Sequence, residues 1–313
     1  MRRFWAIVRA TALETISEPL ALLLTLGAAV MIVLPSVFSF HQFGEPTRMA
    51  RDAGLSSLMV FGSAYAVFCT IKVFRREIES GTAQMALSHP VSRAEFLCAK
   101  VAGVVAASSV FALAVGGVAA AVISGAEAGG CAATAEGGLT TIWNPALFSV
   151  VGVFAASLAI AAALNGFFRF RFTTTASSLM AFLSPVTAYA VWLAGRSFAA
   201  SKMAASGFSS GVPFDTSVRF LPAAVAVILP VPVFVSASAA FSVRFKDHAA
   251  ASLSCLLFLV SLPAMGNYYM SEALADGGTV PWTRVALAWA ATLPFLAAFL
   301  LLGTCLFKDR DVG

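Results

Sequence analysis

Residues 72–100 read KVFRREIESGTAQMALSHPVSRAEFLCAK and form a charged island between two long apolar runs. The island contains five basic and three acidic side chains, and such groups need water because burying an unpaired charge is costly. Loops with an excess of Lys and Arg lie on the cytoplasmic side of membrane proteins. We therefore predict that this segment is where the chain meets the cytoplasm and anything soluble that acts on it.

The composition outside the island predicts a membrane protein. The chain has 313 residues, of which 59 % are hydrophobic and 11 % charged, and its mean hydropathy is +0.88. A soluble domain carries about 25 % charged residues. We predict an all-α, polytopic membrane protein with one domain, 1–313. The net charge of +5 is then a record of membrane topology and not a sign of nucleic-acid binding.

Eight apolar runs are long enough to cross a bilayer, which takes about 20 residues in a helix. They are residues 20–40, 55–74, 97–124, 144–167, 174–195, 220–242, 249–270 and 284–307. Residues 196–219 are neither clearly a loop nor clearly apolar, so six full spans with short re-entrant helices are the alternative. The prediction is therefore six to eight transmembrane helices.

The basic residues predict the orientation. With the N-terminus and the C-terminus both inside, 14 of the 20 Lys and Arg residues face the cytoplasm, as the positive-inside rule requires. These residues are Arg2, Arg3, Arg9, Lys72, Arg75, Arg76, Arg93, Lys100, Arg169, Arg171, Arg244, Lys246, Lys308 and Arg310. Residues 125–141, rich in Gly and Ala, are predicted to form an outer loop, and residues 1–19 a helix lying in the cytoplasmic interface.

Catalytic and metal-binding groups are not indicated by the pattern. The predicted span centres contain no Asp, Glu, Lys, Arg or His, and the three histidines and five cysteines form neither a CxxC pair nor a metal-ligand spacing. The motif GxxxxGK[ST], which binds nucleotide phosphates, is absent as well. We predict that the chain is not an enzyme. Because ion-coupled carriers usually keep an ionisable residue inside the membrane, that class is disfavoured.

Within the island, residues 75–96 are predicted to form a cytoplasmic loop that contains a short helix. Residues 77–87 favour a helix lying across the membrane face, which Pro90 ends. Ser92 then caps the next helix, with Glu95 at the capping-box spacing. A rigid helix between two spans suits transfer of force from a soluble partner, and an ordinary solvated loop is the alternative.

The island resembles the loop between the second and third helices of ABC-2 type transporter permeases, whose pattern is roughly R-R-E-x-E-x-G-T-x-x-x-L-L-S-x-P-V-S-R-x-x-F-L-x-x-K. Glu18-Pro19-Leu20 is similar to the start of that family's first span, and residues 306–313 are similar to its usual tail. Ala86 and His89 depart from the pattern. The matching positions are Arg75, Arg76, Glu77, Glu79, Gly81, Thr82, Leu87, Ser88, Pro90, Val91, Ser92, Arg93, Phe96, Leu97 and Lys100.

This resemblance implies a permease subunit of an ATP-driven exporter in a bacterial cytoplasmic membrane. Its partners would be a second permease chain, identical or paralogous, and separate ATPase subunits that bind ATP and Mg²⁺, so the chain itself would hold no cofactor. The coupling helix would present Glu77, Glu79, Gly81, Thr82, Met85 and Leu87 to the ATPase. Spans without charges favour an amphipathic or lipid-like substrate. A non-transport membrane component of an ATPase-linked assembly, and an ion-coupled carrier, are the alternatives.

Overall fold

The computed structural model describes residues 2–37, 46–80, 92–136, 145–206, 216–269 and 280–308, and these ranges are almost entirely helical. This confirms the prediction of an all-α polytopic membrane protein. In chain order the helices are α1 (Arg2–Ser17), α2 (Pro19–Val37), α3 (Pro46–Ser80), α4 (Arg93–Glu136), α5 (Pro145–Phe168), α6 (Phe172–Ser206), α7 (Thr216–Ile228), α8 (Val231–Arg244), α9 (Asp247–Tyr269) and α10 (Trp282–Lys308).

Six segments of the described helices are long and apolar enough to cross a membrane. The α1–α2 pair, bent by 61° at its junction, makes a seventh if it is counted as one span, and α9 contributes a shorter apolar segment, Asp247–Ser261. The count lies within the predicted range of six to eight. The six segments are Thr47–Glu77, Arg93–Glu127, Leu147–Phe168, Phe172–Ser197, Phe220–Arg244 and Trp282–Phe307.

The segment Phe220–Arg244 consists of two helices, α7 and α8. Leu229 and Pro230 form a turn between them, because proline has no N–H to continue the helical ladder. Helix α8 then restarts with the N–H groups of Val233 and Phe234 bonded to the Pro230 carbonyl, each at 3.0 Å. Pro230 therefore divides this run, whereas Pro222 lies inside α7 without breaking it.

Helix α4 is the centre of the bundle. Its 44 residues extend roughly 66 Å at 1.5 Å per residue, and it packs against α6, α3 and α1. The prediction of an outer loop over 125–141 is wrong for residues 125–136, which continue α4. Glu127 is only 8 % exposed, so it is part of the packed bundle rather than of a water-exposed loop.

Two apolar clusters hold the described helices together. The larger lies where α2, α3, α4, α5, α6 and α7 meet. It includes the rings of Tyr65 and Phe111, whose centroids are 5.0 Å apart and whose planes are tilted by 35°. The second joins α3, α4, α8 and α10, and contains the stacked rings of Phe96 and Phe307 at 6.4 Å. The second cluster lies beside the helix ends that flank the charged island, so it fixes their positions.

Candidate functional site at the charged end of the bundle

One end of the bundle collects the charged helix ends. The residues involved come from the α1–α2 junction, the end of α3, the start of α4, the α5–α6 turn and the α8–α9 turn. We call this set the charged end; its members are Glu14, Glu18, Lys72, Arg75, Arg76, Glu77, Arg93, Lys100, Arg171 and Asp247. All six of its basic residues are among those predicted from the sequence to face the cytoplasm.

Glu77 and Lys100 form an ion pair that joins the two helices flanking the island. The Lys100 ammonium donates to the Glu77 Oε1 atom, and it lies 5.8 Å from the centre of the Phe96 ring. Lys100 is only 4 % exposed, so little water competes for either charge and the bond is stronger than a surface pair. The pair therefore fastens the end of α3 to the start of α4.

Glu18 lies at the bend between α1 and α2. The bend occurs here because a residue that precedes proline avoids the helical conformation, and Pro19 follows. Glu18 is 8 % exposed; its Oε2 atom is 2.5 Å from the Lys72 Nζ atom, and its Oε1 atom is 3.5 Å from the Arg76 Nη1 atom. Both carboxylate oxygens therefore meet basic groups on α3, which holds the bend against the end of that helix.

The bend is also bonded to the start of α6. The Thr173 hydroxyl donates to the Ser17 carbonyl at 2.6 Å, and the hydroxyls of Ser17 and Thr174 are 2.6 Å apart. The α5–α6 turn that leads to these threonines has Arg169 at φ 57°, and it is closed by the Asn165 side-chain N–H, which donates to the Phe170 carbonyl at 2.8 Å. The α1–α2 bend thus connects α3 with α6.

Two further contacts bring the remaining helix ends to the same place. The Arg75 Nε atom is 3.5 Å from the Asp247 Oδ1 atom at the α8–α9 turn. The Arg93 Nη1 atom donates to the carbonyl of Phe307 at 3.2 Å, which satisfies one of the free carbonyls at the end of α10. The start of α4 is therefore bonded to α3 and to α10.

The structure describes some of the residues predicted to contact an ATPase. Glu77 and Glu79 lie in the last turn and a half of α3, which continues to Ser80. The separate helix predicted to start at residue 77 is therefore wrong over 77–80, because no helix breaker occurs before Gly81. Gly81, Thr82, Met85 and Leu87 lie outside the described residues, as does the side chain of Glu79. The predicted cap is confirmed, since the Glu95 N–H donates to the Ser92 Oγ atom at 3.1 Å.

Sequence reasoning missed the acidic residues of the α1–α2 bend. Glu14 and Glu18 are four residues apart, and so are Lys72 and Arg76. Residues four apart share a helix face, so the matched spacing of opposite charges could have indicated that these helix ends meet. The resemblance marked Glu18 only as part of a family pattern.

Metal binding has no support in the described part of the chain, where no three His, Cys, Asp or Glu side chains are close enough to share an ion. Among the described residues, eight of the ten groups at the charged end form ion pairs between helices. Such ion pairs can transmit the displacement of one helix end to the next.

The family comparison agrees with the resemblance seen in the island. The family described as ABC-2 family transporter protein matches residues 3–312, which is nearly the whole chain, so the chain belongs to this family. No curated protein and no solved structure matches the chain significantly. The chain is thus a multi-pass membrane protein and a permease subunit of an ABC transporter, a class that works with an ABC ATPase.

Proposed function

We propose that this chain forms the translocation path of an exporter and that residues 77–87 are its contact with a separate ATPase subunit. The observation that carries the proposal is the ion-pair network at the charged end. The helix leading into the island and the helix leading out of it are joined by Glu77 and Lys100. A push on the island would therefore move α3 and α4 together.

Motion at the island has a route to the rest of the bundle. Glu18 is bonded to α3 through Lys72 and Arg76, and its neighbour Ser17 is bonded to α6. Helix α6 lies directly against α4, where a Cβ atom on Gly117 would be 2.6 Å from the backbone of Ser184. Displacement of α3 and α4 would thus pull on α6 at two levels.

The proposed complex contains two permease chains, identical or paralogous, and two ATPases that bind ATP and Mg²⁺, in a bacterial cytoplasmic membrane. The central parts of the six span segments contain no Asp, Glu, Lys, Arg or His, for example over residues 53–71 and 101–126. A path of this composition suits an amphipathic or lipid-like substrate. It also offers no proton relay, which supports coupling to ATP rather than to an ion gradient.

The contact with the ATPase is tested by reversing the charge of Glu79. An acidic residue at such a contact offers charge-assisted bonds to Arg or Lys, and losing one buried partner of such a pair costs about 2–5 kcal/mol. We expect Glu79→Lys to abolish co-purification of the partner ABC ATPase when the two are expressed together, or to uncouple its ATP hydrolysis from transport. The permease should still insert in the membrane in normal amounts.

Asp52→Lys is the matched control, because Asp52 is exposed on the same helix near its other end. It should change neither co-purification nor transport. Glu127, an acidic residue far from the island, would be a poor control because it is buried and its replacement by Lys would disturb the fold. If Glu79→Lys and Leu87→Asp both leave ATPase binding and transport intact, the island is an ordinary solvated loop.

The energy source is tested in vesicles with ATP held constant. We expect a protonophore to leave transport unchanged and the transported substrate to stimulate ATP hydrolysis in proteoliposomes. Transport that stops with the protonophore would identify an ion-coupled carrier. ATP hydrolysis that no exported compound stimulates would instead favour a membrane component of an assembly complex.

A further inference from the structure

A cleft of about 500 Å³ opens between the α1–α2 bend and the α5–α6 turn. Its lining includes the carboxylates of Glu14 and Glu18 and the guanidinium groups of Arg76 and Arg171. The cleft lies at the charged end, beside the ion pairs that join α1 to α3, and the proposed ATPase contact does not use it. It is large enough to admit the headgroup of a lipid.

The charges of this cleft are not fully matched within the described part of the chain. Both oxygens of Glu18 meet basic groups on α3. Glu14 has only one long contact, 3.8 Å from its Oε1 atom to the Arg76 Nη1 atom, and no carboxylate of the described residues lies within 4 Å of the Arg171 guanidinium. The cleft therefore presents a free cation and a weakly paired anion. That pattern complements a ligand with one phosphate and one ammonium group.

Exposed apolar side chains lie close in sequence to two residues that line the cleft, Arg171 and Pro19. Phe167 and Phe168 at the end of α5 and Phe170 in the α5–α6 turn are 85 %, 68 % and 57 % exposed. Leu23, one turn beyond Pro19 on α2, is 64 % exposed. In a membrane protein such side chains face lipid, and rings beside basic residues are typical of the interface between headgroups and acyl chains. A ligand of the cleft would thus have apolar chains next to its charged groups.

We propose that the cleft binds the headgroup of an aminophospholipid from the membrane leaflet at the charged end. Arg171 holds the phosphate, Glu14 accepts hydrogen bonds from the primary ammonium, and the acyl chains lie against the exposed phenylalanines. The lipid bridges the α1–α2 bend and the α5–α6 turn. This site goes beyond the proposed export function and does not depend on the ATPase contact.

The proposal is tested by titrating purified protein in detergent with four soluble ligands and following the thermal unfolding midpoint. The ligands are dihexanoyl-phosphatidylethanolamine, dihexanoyl-phosphatidylcholine, dihexanoyl-phosphatidylglycerol and glycerophosphoethanolamine. We expect dihexanoyl-phosphatidylethanolamine to bind at least about tenfold more tightly than each of the other three. Phosphatidylcholine cannot donate a hydrogen bond to Glu14, phosphatidylglycerol has no ammonium, and glycerophosphoethanolamine has no acyl chains. Equal binding of the three lipids, tighter binding of phosphatidylglycerol, or equal binding of the free headgroup would overturn the proposal.

Two variants assign the charged groups. Arg171→Gln should weaken binding of all three lipids about tenfold or more, whereas Glu14→Gln should remove the preference for phosphatidylethanolamine over phosphatidylcholine. Arg284→Gln is the matched control, because Arg284 is exposed near the start of α10, away from the charged end. Unchanged binding in Arg171→Gln would refute the site. If that variant does not fold, the lipid selectivity of the unmodified protein still decides.

Discussion

At the scale of single residues, Glu77–Lys100 is the most buried of the ion pairs described at the charged end. Its side chains are 16 % and 5 % exposed, so each charge has given up most of its water and depends on the other. Removing one partner of a buried pair costs about 3–5 kcal/mol, because the remaining charge is left without compensation. The stability of the protein should therefore be sensitive to replacement of either residue alone.

We predict that Lys100→Met lowers the free energy of unfolding by about 3 kcal/mol. The double variant Glu77→Gln/Lys100→Met should be more stable than the single Lys100→Met, because it leaves no buried unpaired charge. Chemical denaturation of the purified protein in detergent measures both.

Asp247→Asn is the control for this prediction. It breaks the Arg75–Asp247 pair, whose side chains are 33 % and 50 % exposed, and exposed pairs contribute about 0–1 kcal/mol. A Lys100→Met variant as stable as Asp247→Asn would show that the Glu77–Lys100 bond contributes little.

The sequence predicted where these residues lie better than what they bind. Lys100 was expected at a span end and Glu77 in the charged island, and the structure places Glu77 near the end of α3 and Lys100 in the second turn of α4. That they bind each other was not predictable, because 22 residues separate them and their contact depends on how α3 and α4 pack. The prediction that Glu127 lies in an outer loop is wrong because Glu127 is buried within α4. A run of Gly and Ala suggested a loop because glycine disfavours helix, whereas the backbone of α4 stays helical as far as Glu136.

At the scale of helices, glycines of α4 set two close contacts. A Cβ atom on Gly103 would be 2.6 Å from the Thr11 Cβ atom and 2.8 Å from the Val8 carbonyl on α1. One on Gly117 would be 2.6 Å from the backbone nitrogen of Pro185 on α6. Small residues four apart, at 103 and 107 and at 117 and 121, indicate such approaches in the sequence, and here the indication is confirmed.

The same pattern at Gly152 and Ala156 marks no contact, since nothing described lies within 4 Å of a Cβ atom on Gly152. A stripe of small residues shows that close approach is possible. It cannot show whether a helix or lipid lies against it. The N-terminal segment has the same ambiguity, because one face of α1 is buried through Val8, Thr11 and Thr15, although the sequence suggested a helix that lies on the membrane.

We predict opposite effects for alanine at neighbouring glycines of α4. Gly103→Ala and Gly117→Ala should each destabilise the protein by about 1–3 kcal/mol, because backbone atoms must move. Gly116→Ala, with nothing within 4 Å of its Cβ atom, should be neutral or stabilising by up to about 1 kcal/mol, because alanine favours helix.

Thermal unfolding in detergent compares the three glycine variants under the same conditions. If Gly103→Ala is as stable as Gly116→Ala, then α1 does not pack on α4 in the membrane-extracted protein.

At the scale of the whole molecule, the distribution of charge in the sequence and the packing of the helices agree on which residues lie at the same end. Six basic residues that the positive-inside rule assigns to the cytoplasm are brought to one end of the bundle by contacts among α1, α3, α4, α6 and α10. The count of Lys and Arg on each side was made from the sequence, independently of these contacts. That both place the six residues together supports their lying at one end of the bundle. Which side of the membrane that end faces remains a prediction from charge alone.

The orientation is tested with single cysteines in a background without the five native ones. Lys246 lies exposed in the α8–α9 turn beside Asp247, which is paired with Arg75, and Thr283 lies exposed at the start of α10. Helix α10 contains a segment of 26 residues able to cross the membrane, and its other end meets Arg93. Lys246 and Thr283 should therefore be on opposite sides.

We predict that an impermeant thiol reagent labels Thr283→Cys in intact cells and labels Lys246→Cys only after the membrane is opened. The reason is that the end of α3 and the start of α4 hold an excess of basic side chains, and moving such groups across a membrane is unfavourable. Labelling in the reverse order would keep the packed helices but place the charged end outside, where no cytoplasmic ATPase could reach it, and the proposed export function would fail. Labelling of both from outside would contradict α10 as a membrane span.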